Sequence, residues 1–270
     1  MKRKMPWHWL LCILLIAIGC LFPTETAKAD IRYLYDFDEK EQAYYIYHIY
    51  ATEKDEVFEL PSRYNGYPVV GISDTSMDMK TKNYIKKLII PSGYKEIGST
   101  FSCCENLEEV VINAELTSIE KGMFSGCSKL TEAYLNQSPN LTGLDFTGCN
   151  ALRVLWAFEN PSMTTLNVAP CKNLYYMDAH QTGVNHHMDF VDMPVLWQTI
   201  MWNSQVPSAT YTNVPELDHM NYENAPLAAI TITNAPKLEY AIFVNTQLHL
   251  PLAKSSGCFS ALIFWTFLLL

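Results

Sequence analysis

Positive charge is what this sequence is short of. Lysine and arginine number 19 against 28 aspartates and glutamates, a formal charge of −9 over 270 residues. A body of that sign repels phosphate backbones and anionic lipid headgroups, which excludes nucleic acid as a partner. Charged residues of either sign are scarce at 17%, while 49% of the chain is hydrophobic and 13% aromatic, and that balance excludes a disordered chain. Zinc-type ligand spacing is also missing. His186-His187 with Asp189 puts only two candidate ligands on one strand face, where a zinc site needs three or four, so neither metal nor cofactor is expected.

The cysteines do not read as a disulfide framework. Cys12 and Cys20 lie in an N-terminal apolar stretch, and Cys104, Cys127, Cys149 and Cys171 return at near-constant spacing. A cysteine that recurs once per repeat reads as a small, soft residue stacked at one inward place as a free thiol. Bridges between neighbouring turns are the alternative, because stacked strands lie within disulfide reach.

Residues 1–29 have the form of an export signal. Lys2, Arg3 and Lys4 precede an apolar run from Trp7 to Leu21, and Ala27-Lys28-Ala29 is a small-residue cleavage site. Ala17-Ile18-Gly19-Cys20 offers a competing cut that leaves Cys20 lipidated. Both readings carry the protein out of the cytoplasm. Cleavage before Asp30 leaves 15 basic against 27 acidic side chains, a formal charge of −12. At the other end Cys258 to Leu270 is apolar. As a helix those residues would extend about 20 Å, short of the roughly 30 Å hydrocarbon thickness. Packing over the end of the fold and shallow membrane insertion are both open to it, so Cys20 and this tail are two routes to a membrane tether.

Between the ends lies a repeat. The pattern apolar-x-x-apolar-x-apolar returns eight times from residue 85, as in Leu130/Ala133/Leu135, Leu152/Leu155/Ala157 and Leu174/Met177/Ala179, every 21–23 residues. A second copy is interleaved half a repeat later: Leu141/Leu144/Phe146, Met163/Leu166/Val168, the degraded Asn185/Met188/Phe190 and Val206/Ala209/Tyr211, then Leu227/Ile230/Ile232. Ordering one turn costs roughly 1–2 kcal/mol per residue, more than its few buried side chains return, so a turn folds only by stacking on its neighbours. The expected fold is mainly β: a solenoid of about eight turns over 67–250 with a parallel sheet along each flank. A small N-terminal β cap over 30–66, rich in Tyr33, Tyr35, Phe37, Tyr44, Tyr45, Tyr47 and Tyr50, closes the first turn, and 251–270 forms an apolar tail.

The run Cys104-Glu-Asn-Leu-Glu-Glu-Val-Val-Ile112, with Ile119, Met123-Phe124 and Ser125-Gly126-Cys127, resembles the BspA-type leucine-rich repeat of bacterial surface proteins. The lead-in Leu60-Pro-Ser-Arg-Tyr-Asn-Gly-Tyr-Pro-Val-Val-Gly-Ile72 does so too. Asn140-Leu-Thr-Gly-Leu-Asp-Phe-Thr-Gly-Cys149 resembles the shorter two-strand repeats of such proteins. The resemblance implies a leucine-rich-repeat solenoid, secretion or surface exposure, and adhesion-like binding of proteins or glycans. It brings no shared catalytic residues.

Alternation along the strands places the candidate site. Outward positions of the first flank carry Tyr134, Trp156, Phe158, Tyr176, Ile200 and Trp202, with Asp178, His180, His219 and Glu223 at the polar side of the strip. The second flank carries small polar residues instead. Aromatics dominate recognition hot spots, and a soluble surface has no need of so apolar a strip. The expected function is therefore non-catalytic binding of an extracellular host or matrix protein. Glycan binding is the alternative, since stacked aromatics also suit sugar rings, and self-association or internal cover of the strip is another. A polysaccharide-degrading enzyme is the weakest reading. Asp178 and Glu223 stand two turns apart, about 9.6 Å before any offset along the strand, at the limit for paired glycosidase carboxylates.

Overall fold

The computed structural model describes residues 31–51, 56–116, 118–119, 122–248 and 262–264. Residues 1–29, read as an export signal, and most of the apolar tail lie outside the described residues. Among the described residues the first elements are β1 (Ile31–Asp38) and β2 (Ala43–Ala51), then β3 (Val57–Glu59), β4 (Arg63–Tyr64), β5 (Tyr67–Met77) and a one-turn helix α1 (Met79–Lys82). Strands then alternate between two flanks. The first receives β6 (Lys87–Ile90), β8 (Glu109–Ile112), β10 (Glu132–Tyr134), β12 (Val154–Trp156), β14 (Tyr176–Asp178), β16 (Gln198–Ile200), β18 (His219–Asn221) and β20 (Tyr240–Ile242). The second receives β7 (Glu96–Ile97), β9 (Ser118–Ile119), β11 (Gly143–Asp145), β13 (Thr165–Asn167), β15 (Met188–Val191), β17 (Ser208–Thr212) and β19 (Ala229–Thr233). A last strand, β21 (Leu262–Phe264), comes from the tail.

The first flank is one unbroken sheet of ten strands, from β3 through the even-numbered strands to β20 and β21. It is parallel and in register, with Ala133 beside Leu155, Leu155 beside Met177, Met177 beside Thr199 and Thr199 beside Met220. Leu130, Leu152 and Leu174 are all fully buried, as the stacking of the repeat requires. The hairpin β1–β2 joins the second flank through parallel pairing of β2 with β5, and β3, inside the span read as cap, is already a rung of the long sheet. At the other end β21 pairs in parallel with β20, so part of the tail extends the sheet.

Corners repeat as strictly as strands. Gln137, Glu159, Gln181, Asn203, Asn224 and Asn245 occupy one place in successive turns, all with φ between 52° and 61°. Asn224 Nδ2 donates to Asn203 Oδ1 (2.9 Å) and Asn245 Nδ2 to Asn224 Oδ1 (2.8 Å), so side chains continue the ladder where the backbone bends. Asparagine tolerates the left-handed region better than most residues, which suits it to this corner. At the next corner a cysteine precedes each leucine. The amides of Leu130, Leu152 and Leu174 donate to the carbonyls of Cys127, Cys149 and Cys171. The thiols of Cys127 and Cys149 donate in turn to carbonyls of the preceding coil, Phe101 (3.3 Å) and Phe124 (3.1 Å). These are free thiols in a buried file.

Two departures from the regular repeat have physical causes. Thr199, standing among aliphatic positions, is fully buried. Its hydroxyl bonds Tyr211 Oη (2.7 Å), which bonds Tyr222 Oη (2.8 Å), so the polar group is satisfied within the core. The second departure corrects the pattern on the other flank. The inward residues are Val184, Met188 and Phe190, and Asn185, expected inward, is exposed. Val184 and Met188 are four apart where neighbouring turns have three, so one extra residue is bulged out. The second flank is discontinuous at that turn, as it is between β9 and β11: β11 pairs β13, β15 pairs β17, β17 pairs β19, and β13 does not pair β15.

Candidate functional site

In-register parallel strands stack like positions on like, so each outward position becomes a column running along the solenoid. Phe158, His180 and Trp202 form one. The His180 ring lies 4.8 Å from Phe158 at 5° and 4.2 Å from Trp202 at 11°, a three-ring stack. Beside it Trp156 touches Tyr134 (6.2 Å), Phe158 (5.7 Å) and Tyr176 (5.9 Å). Trp156 is exposed, while Tyr134, Phe158, Tyr176, His180, Ile200 and Trp202 are half-buried, largely against one another. The stacked faces are thereby filled by neighbouring rings.

Asp178 is placed differently from the rest. In register between Trp156 and Ile200, it is only 7% exposed, so it lies within the strip and not along its polar side. Its Oδ1 is 2.6 Å from His180 Nδ1 and 3.2 Å from the His180 amide, and the Tyr176 hydroxyl stands 3.5 Å from Oδ2. The carboxylate holds the imidazole plane in the stack. Burial first, then the Asp178 charge, pushes Tyr176 up to about 12. Tyr134 is held at about 12 chiefly by donating to Glu132 Oε2 at 2.7 Å.

His219 belongs to another column, which alternation along the strands did not find. Tyr175 stacks on Trp197 (5.5 Å, 14°), Trp197 meets the edge of His219 (5.9 Å), and His219 stacks on Tyr240 (4.4 Å, 17°). Arg153 lies over the Tyr175 ring at 5.8 Å. His219 Nδ1 is also 2.8 Å from Asp218 Oδ2, a close contact and not an aligned hydrogen bond. Tyr175 and Trp197 sit one residue before their strands, outside the alternating positions. Their recurrence 22 residues apart was the available signal. Glu223 occupies the same outward position as Trp202 one turn later, its own amide bonded to Asn221 Oδ1 at 2.9 Å. Eight of the ten candidate residues, Tyr134 through Trp202, thus gather on β10 to β16 and the corners that follow, with His219 and Glu223 at the distal end.

Among the described residues no group of three or more His, Cys, Asp or Glu converges as a metal site. The candidate site is therefore a surface of rings with a fixed imidazole–carboxylate pair inside it.

Residues 79–156 match the model of the BspA-type leucine-rich-repeat region, in six copies. No curated protein matches the chain. Among solved structures, the chain is similar to a leucine-rich-repeat protein of T. pallidum, at 16% identity and a TM-score of 0.46, over 73% of this chain and 90% of that one. It is also similar to a leucine-rich cell surface protein of Faecalibacterium prausnitzii, at 15% identity and a TM-score of 0.37, over 82% and 84% of the two chains. The family match is thus confined to residues 79–156, which lie within a mainly-β parallel solenoid.

Proposed function

We propose that this chain is exported and, at the cell surface or in secreted form, binds an extracellular protein through the aromatic strip of its first flank. One observation carries the reading: Tyr134, Trp156, Phe158, Tyr176, His180 and Trp202 form a continuous ring surface in which Trp156 is exposed. From β6 to β20 the sheet spans roughly 34 Å at about 4.8 Å per strand, room for a standard interface of about 800 Å² per partner. The Phe158–His180–Trp202 stack closes ring faces on which a sugar would otherwise stack, which favours a protein over a glycan. Adhesion suits a rigid display of this kind, in which the side chains need no reordering on binding.

Trp156→Ala combined with Trp202→Ala tests the proposal. Binding to extracellular-matrix proteins in a pull-down should fall at least about tenfold, a loss of about 1.4 kcal/mol, with little change in melting temperature. Undiminished binding by the double variant overturns it, and a glycan array that outperforms every protein would replace the partner class.

A further inference from the structure

The break in the second flank is more than a lost pair of rungs. Between β13 and β15 the chain encloses a half-open cleft of about 240 Å³. In the regular pattern an inward amide donates to the carbonyl of the next turn, as Leu135 does to Trp156 (2.7 Å) and Phe146 to Asn167 (3.2 Å). Leu166 does not. Its N–H donates to Nε2 of His186 at 3.1 Å, and Nδ1 of the same ring lies 2.7 Å from the His187 carbonyl. A carbonyl can only accept and a backbone amide can only donate, so the ring is neutral with its proton on Nδ1. The imidazole is inserted into the ladder as a spacer, and the one-residue bulge that carries it holds the two strand edges apart.

Each wall of the cleft is organised independently. On the β11–β13 side Asp145 Oδ1 accepts from the Thr147 amide (3.0 Å), the Thr147 hydroxyl (2.7 Å) and Asn167 Nδ2 (2.9 Å). On the β15–β17 side His187 is pinned by Ser208 Oγ (2.7 Å), Asp189 Oδ1 (3.1 Å) and Thr210 Oγ1 (3.0 Å). Between the walls the gap reaches down to Leu144, Leu166 and Met188, whose side chains are themselves buried in the core. The result is a small concavity with oriented polar rims.

We propose that this cleft binds a single neutral saccharide unit. The volume lies below the roughly 300–1,000 Å³ of sites for larger ligands. Carboxylates stand on both walls and no lysine or arginine lines the space, which turns away phosphate, sulfate and acidic sugars. Asp145, Asn167 and Asp189 supply the acceptors that adjacent hydroxyls need, and Thr165 adds a hydroxyl. The site lies on the flank opposite the aromatic strip, so it stands or falls independently of the protein-binding reading.

The test is NMR titration of the ¹⁵N-labelled protein with neutral hexoses and N-acetylhexosamines, one at a time. At least one sugar should saturably shift the amides of residues 145, 167, 187 and 189 in the millimolar range. Asn167→Ala and Asp189→Ala should each weaken that response at least tenfold at unchanged melting temperature, and Trp156→Ala should leave it alone. Asp189 is exposed, so its variant separates loss of binding from loss of fold. Absence of a response to every sugar, shifts confined to the first flank, or a response only to small ammonium compounds would each overturn the proposal.

Discussion

His186 shows how one side chain can decide the continuity of a sheet. Its ring accepts from Leu166 and donates to His187, so it satisfies both backbone groups that the bulge pulls apart. His186→Ala should leave the Leu166 amide unpartnered at a partly buried place, at a cost of about 1–3 kcal/mol. Hydrogen exchange gives a local readout: the Leu166 amide should lose its protection while Ala133 and Leu155 keep theirs. Unchanged exchange at Leu166 would mean that water or a re-closed ladder replaces the ring. The cysteines make a second statement at this scale. Of the five described thiols Cys103 alone is exposed, while Cys104, Cys127, Cys149 and Cys171 are buried. In the native state a thiol reagent should modify Cys103 rapidly and those four only on unfolding. Rapid labelling of any of the four would show that the corner opens.

Among elements, the corners have the least freedom. Asn224 combines φ of 58° with two side-chain bonds, one to each neighbouring turn. Asn224→Ala puts a Cβ residue without a local hydrogen bond into the left-handed region, which costs roughly 1–2 kcal/mol. Asn224→Gly relaxes the backbone and loses only the ladder bonds. Thermal melts should therefore order the stabilities as wild type, Gly, Ala, and an Ala variant as stable as Gly would show that backbone conformation is not the issue. Strands were legible because burial alternates within each one and recurs every 21–23 residues. The bulge was not, because Val184 and Asn185 are adjacent and the three-residue step of the repeat selects the wrong one. Only packing against Met163 and Val206, the buried residues at the same place in the turns on either side, favours the valine.

For the whole molecule the buried thiol file has a consequence in pH. Burial pushes Cys127 up to about 11 and Cys171 to about 12, from an ordinary value near 9, and raises Cys104 and Cys149 as well. Above pH 9 the unfolded chain releases these protons while the folded chain retains them, so stability falls as pH rises. The thiol contribution is fully present below about pH 9 and is lost as the pH climbs through 11–12. Urea midpoints measured from pH 7 to 11 should decline at the alkaline end, and less steeply once Cys127 and Cys149 are replaced by Ala. Equal slopes would place the alkaline sensitivity elsewhere.

The candidate face divides along the same line as the fold. Tyr134, Trp156, Phe158 and Trp202 could be assigned outward from the chain alone, because strand alternation is a local rule. Tyr175 and Trp197 stand one residue before their strands, at the parity that alternation assigns inward, and Asp178 is buried in register between Trp156 and Ile200 of the turns before and after it. The repeating apolar pattern by itself determined that the chain coils, how long each turn is and which side chains point inward, since a turn of this length has no stability apart from its neighbours. Only the tertiary structure decided which outward rings share a column, where the second sheet splits and what a histidine does in the gap. Those outcomes depend on contacts between residues some twenty positions apart, and a one-residue change of register in a single turn is enough to rewrite them.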